Sequence, residues 1–134
     1  MSNQLGFEVA IPKPLDEAIE TITALLKTEG FGILTRIDVR ATLKEKIGAD
    51  FRPYVILGAC NPTLAHSALE IDAWLGLLLP CNVTVESIDD RSSLVRIANP
   101  ELMATFSQSP EKLSEIVKTA TRKLNNVVSA LALA

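Results

Sequence analysis

Apolar positions change their period several times along the chain, and each change marks an element. Phe7, Val9 and Ile11 alternate with Glu8 and Ala10, the signature of a short half-buried strand that Pro12 and Pro14 terminate. Leu15, Ala18, Ile19, Ile22, Leu25 and Leu26 then recur at helical spacing, and Gly30 supplies the stop. From Phe31 the period returns to two, which places Phe31, Ile33, Thr35, Ile37 and Val39 on one strand face and Leu34, Arg36 and Asp38 on the other. Residues 39–47 are rich in helix formers and end at Gly48, so a short helix capped by Asp38 overlaps the end of that strand. Tyr54 to Ala59 is an uninterrupted apolar run between Pro53 and Asn61-Pro62, which predicts a central strand buried on both faces.

Asn61-Pro62-Thr63 opens the next helix, because Asn caps and Pro at the first helical position gives up only an orphan N–H. That helix is expected to run to about Trp74. Cys81 to Ile88 and Ser93 to Ala98, joined by the turn formers Asp89-Asp90-Arg91-Ser92, predict a β-hairpin. From near Pro110 a stripe of Leu113, Ile116, Val117, Ala120, Leu124, Val127, Val128 and Leu131 predicts the principal helix over the sheet.

The order β-α-β-α-β-α-β-β-α predicts an α+β fold of two layers, a mostly antiparallel five-stranded sheet with helices packed mainly on one face. Side chains on the other face, such as Leu34 and one set from the 54–59 strand, then need another cover. A second copy of the chain supplies it, so a homodimer is expected.

Length and composition narrow the class. At 134 residues and 14.5 kDa the chain makes one domain, residues 1–134, and 48% hydrophobic residues exclude intrinsic disorder. With 13 Lys+Arg against 16 Asp+Glu the net charge is −3, so no positive field draws in phosphate backbones and nucleic acid is excluded as a partner. No apolar stretch, Trp74 to Leu79 included, approaches the roughly 20 residues a membrane span needs. No membrane partner is expected, and the expected location is cytoplasmic, with the two cysteines reduced.

The segment Tyr54-Val-Ile-Leu-Gly-Ala-Cys-Asn-Pro62, followed by Gly76-Leu-Leu-Leu-Pro-Cys-Asn-Val83, resembles the domain of unknown function 302 family. These are small bacterial and archaeal α+β domains with an antiparallel sheet that often form dimers. The helix before Gly30-Phe31-Gly32, the Lys46-Ile-Gly48 ending and the closing helix occur in the same order, so the resemblance spans nearly the whole chain. It implies a prokaryotic domain of that architecture, and it carries no reaction, ligand or cofactor.

The same motifs hold the candidate chemistry. Cys60 ends one strand and Cys81 begins another; if these strands are antiparallel neighbours, both sulfurs and the amides of Asn61 and Asn82 converge, whereas parallel strands separate them by roughly 17–20 Å. A thiolate at Cys60 needs a cationic neighbour, either His66 or a remote Lys or Arg, since a helix N-terminus typically contributes about 0.3–1 kcal/mol, under one pKa unit. The ligand-binding candidates are therefore Cys60, Asn61, His66, Cys81 and Asn82. No catalytic set is defined. His66 and Glu70 share a helix face, yet with one His and no Cys-x-x-Cys spacing neither a metal nor a cofactor is expected. Gly30-Phe31-Gly32 follows a helix and precedes a strand, the reverse of a phosphate loop.

Three functions remain open at this level: a homodimeric domain binding a small, neutral or weakly polar ligand near Cys60-Asn61-Pro62 and Pro80-Cys81-Asn82; a thiol-dependent redox or sulfur-transfer enzyme using Cys60 and Cys81; and a purely structural or partner-binding dimer in which the motifs lock strand ends.

Overall fold

A computed structural model describes residues 3–134 of the chain. Strand β1 (Gly6–Ile11) leads to helix α1 (Leu15–Thr28), β2 (Gly32–Asp38) to α2 (Val39–Ile47), and β3 (Tyr54–Cys60) to α3 (Pro62–Ile71). The hairpin β4 (Cys81–Asp89) and β5 (Ser92–Ala98) follows, then a short α4 (Glu101–Phe106) and the long α5 (Ser114–Ala132). Local chemistry sets the boundaries. Asp38 accepts from the Ala41 N–H at 2.9 Å and Asn61 from the Leu64 N–H at 3.2 Å, so each caps its helix. Gly30 and Gly48, at φ +84° and +66°, take the left-handed turns that end α1 and α2.

All neighbouring strands are antiparallel, in the order β1-β5-β4-β3-β2. Helices α1 and α5 cover one face. Their buried Ile22, Leu26, Leu124 and Leu131 pack against Val55, Leu57, Val83, Val85, Val95 and Ile97 of the three interior strands, forming one continuous core. A smaller cluster of Ala68, Leu75, Met103, Leu113 and Val117 fills the space beneath α3 and α4. The predicted α+β architecture and its element order are those of the structure. Among the described residues no helix is long and apolar enough to cross a membrane.

Three local departures have physical causes. The helix expected to reach Trp74 stops at Ile71, because Asp72 turns to an extended backbone and its carboxylate accepts from the Trp74 N–H at 3.0 Å and the Ser107 hydroxyl at 2.8 Å. Residues Ala73–Leu78 then form a 3₁₀ turn. Helix α4 went unpredicted, since six residues with only Met103 buried show no periodic stripe. Finally, β2 carries a bulge between Ile33 and Thr35. Ile33 pairs with Ala59 on the helix-covered side, whereas Ile37 pairs with Ile56 on the other, so the strict alternation read from Phe31 to Val39 changes face at Leu34.

Candidate functional site

The two cysteines stand at one end of the sheet because β3 and β4 are antiparallel neighbours with Ala59 opposite Cys81. Both border a small cavity beneath the helices, with Phe31, Asn61, Leu79, Met103 and Ala120 among its walls. Its volume is about 20 Å³, room for a single water. Burial, helped by the neighbouring Cys60, pushes the Cys81 thiol up, which keeps it protonated and a poor nucleophile at neutral pH. Both cysteines are free.

The other candidates do not converge there. Asn61 borders the cavity, but its amide is committed: Oδ1 caps α3 and Nδ2 donates to the Glu29 carbonyl at 3.3 Å, tying the start of α3 to the end of α1. His66 lies on the solvent side of α3, 77% exposed, with Nε2 3.0 Å from Glu70 Oε1. Asn82 follows Cys81 in β4, and consecutive strand residues face opposite ways, so its side chain belongs to the uncovered face of the sheet. Among the described residues no group of three or more His, Cys, Asp or Glu is placed to hold a metal ion.

The uncovered face holds a more elaborate arrangement. Glu8, Arg96, Thr84, Ile56 and Ile37 form one row across all five strands, each opposite the next. Ala10, Leu94, Glu86 and Tyr54 form the adjacent row. Arg96 bridges the two rows, donating Nε–H to Glu8 at 2.8 Å and Nη1–H to Glu86 at 2.8 Å. Arg52 donates to the other oxygen of Glu86, while its guanidinium lies 4.5 Å from the Phe51 ring centroid and 5.7 Å from that of Tyr54. Burial on its own would raise the Glu86 carboxyl; hydrogen bonds and charge from Arg52 and Arg96 outweigh it and hold the group below the usual carboxylate range.

Beside this network, toward the end of the sheet where β1 and β4 begin, opens a cleft of about 430 Å³. Leu5, Ala98 and Leu102 give it apolar walls; Glu8, Tyr54, Asn82, Thr84 and Arg96 supply polar groups. Gly6 borders it and lies against the Ile97 carbonyl, where a Cβ has no room. The volume falls within the range of small-molecule sites, and few polar groups on apolar walls is the usual composition of one. Of these residues only Asn82 was singled out in the sequence. Glu8, Thr84, Glu86 and Arg96 read individually as the solvated side of three strands. Their one legible signal is two acidic residues and an arginine at outward positions of strands whose order was not yet fixed.

Fold and site together define a small two-layer α+β domain with an antiparallel sheet, one face of which carries a charge-balanced network and a cleft. The family model described as "Domain of unknown function DUF302" matches residues 7–131, and the chain belongs to that family. Among solved structures it is similar to that of an uncharacterized conserved protein DUF302 from Bacillus stearothermophilus, with 28% sequence identity and a TM-score of 0.83 over 96% of this chain and 99% of that one. No curated protein matches the chain.

Proposed function

We propose that the protein is a ligand-binding domain whose site is the cleft on the uncovered sheet face, and that it works as a homodimer. The observation that carries the reading is the cleft itself: about 430 Å³ with mixed lining, against about 20 Å³ at the cysteines. On this reading the ligand expected near Cys60-Asn61-Pro62 and Pro80-Cys81-Asn82 moves across the sheet, to the side on which Asn82 rather than Cys81 stands. Self-association is supported at the other end of the same face. Helix α2 buries no residue, and Leu34, Ile37 and Ile47 are 64%, 46% and 73% exposed. A nine-residue helix is marginal without tertiary packing, so a second copy seated on β2 and α2 supplies what the single chain lacks. Two unpaired cysteines suit a reducing compartment such as the cytoplasm.

Titration with the uncharged apolar dye Nile red tests the site. The wild type and Cys60→Ala should bind it, and Ala98→Trp, which fills the cleft, should lose it. A second apolar groove lined by Trp74, Leu77, Leu78 and Phe106 makes Leu77→Ser the necessary companion variant. Binding that survives Ala98→Trp and disappears in Leu77→Ser would refute the assignment.

A further inference from the structure

Resting on the cleft as the binding site, we infer that its ligand is an uncharged amphipathic molecule, an apolar body ending in a carbonyl, amide or hydroxyl head that meets Thr84 and Arg96. Three observations converge on that chemistry. The first is an incomplete hydrogen bond. The Thr84 hydroxyl oxygen is buried and has no partner, although Thr84 borders the cleft directly opposite Arg96 in the β4–β5 register. Buried polar atoms are paired in the great majority of cases, and a ligand head that bonds this hydroxyl completes it.

The second observation concerns charge. Arg52 and Arg96 together carry +2 and Glu8 and Glu86 together −2, so the network is neutral as a unit. An anion approaching Arg96 meets Glu8 and Glu86 already bonded to it; a cation approaching Glu8 meets Arg96. Either ion gives up its hydration without finding a net opposite field, whereas a neutral head sheds little hydration and still finds hydrogen-bonding groups. The third is the division of the lining. Leu5, Ala98 and Leu102 offer apolar contact beyond the Thr84–Arg96 floor, a shape that matches a ligand apolar at one end and polar at the other.

A matched series reads the inference directly: 2-naphthamide, 2-naphthoate and 2-naphthylmethylammonium share one ring system and differ in the charge of the head. Titrated calorimetrically at pH 7, the amide should bind about tenfold or more tighter than either ion. Thr84→Val, which keeps the shape and removes the hydroxyl, should weaken the amide about 3–10-fold, the share of one neutral hydrogen bond. Tighter binding of the naphthoate or of the ammonium would overturn the ligand class while the cleft stands. So would failure of all three heads alongside Nile red binding that Ala98→Trp abolishes. Loss of Nile red binding from the cleft as well would remove the underlying reading. Should Thr84→Val fail to fold, the wild-type ranking of the three heads decides the matter alone.

Discussion

Glu86→Gln strikes the centre of the charge network without changing its shape. The carboxylate is only 7% exposed and accepts from Arg52 on one oxygen and Arg96 on the other. A hydrogen bond to a charged group contributes roughly 1.5–3 kcal/mol and a neutral one about 0.5–1.5, so neutralising both bonds removes about 2 kcal/mol. The glutamine NH₂ cannot accept, which leaves one arginine without its partner. Set against this, the Arg52 and Arg96 side chains are 52% and 41% exposed and recover hydration, which brings the net loss to about 1–2 kcal/mol. For a chain of this length that lowers the melting temperature by roughly 3–8 °C. Urea denaturation across pH gives the sharper readout. Because the folded carboxyl titrates below its unfolded value of about 4.3, its contribution is fully present above that pH and fades as pH falls through the folded value. Wild type and variant should therefore differ at pH 7 and converge in acid. A difference that is absent at pH 7, or that persists unchanged to the lowest pH at which both fold, would refute the reasoning.

Other outcomes follow from the same geometry. Asn61→Ala removes the α3 cap and the link to Glu29, and should cost about 0.5–2 kcal/mol in denaturant unfolding while sparing Nile red binding. Alkylation of Cys81 by iodoacetamide, followed by mass spectrometry, should be slow at pH 7 and accelerate only above the ordinary thiol range, because its raised pKa keeps the neutral form until higher pH. The double substitution of Leu34 and Ile37 by glutamate should shift sedimentation from dimer to monomer at micromolar concentration, whereas the same change at Leu77 should leave the dimer intact.

Much of the architecture was legible because the strongest signals are local. The stripe from Leu113 to Leu131 and the alternation of the hairpin strands each report burial on one side, and the caps at Asp38 and Asn61 are set by residues within the same turn. What escaped depends on pairing. The bulge at Leu34 is visible only against the register of β3, and it moves Ile37 to the opposite face from Ile33. The candidate site shows the same limit. That Cys60 and Cys81 border one cavity follows once β3 and β4 are adjacent and antiparallel, yet the alternation of β4 sends Asn82 to the far side. Glu8, Arg96 and Glu86 are separated by up to 88 positions in sequence and meet only through the strand order β1-β5-β4. A charged residue in a strand reads as solvated until its cross-strand neighbour is known, which is why the network was invisible beforehand.

Two-dimensional ¹H–¹⁵N NMR of the wild-type protein titrated with 2-naphthamide tests the central claim most directly, because it reports where an uncharged ligand sits irrespective of affinity. Concentration-dependent shifts should cluster at Asn82, Thr84, Arg96, Ala98 and Leu102, with Cys60 and Trp74 unmoved. Shifts confined to the residues around the cysteines or around Trp74 and Phe106, with the open sheet face silent, would contradict the account.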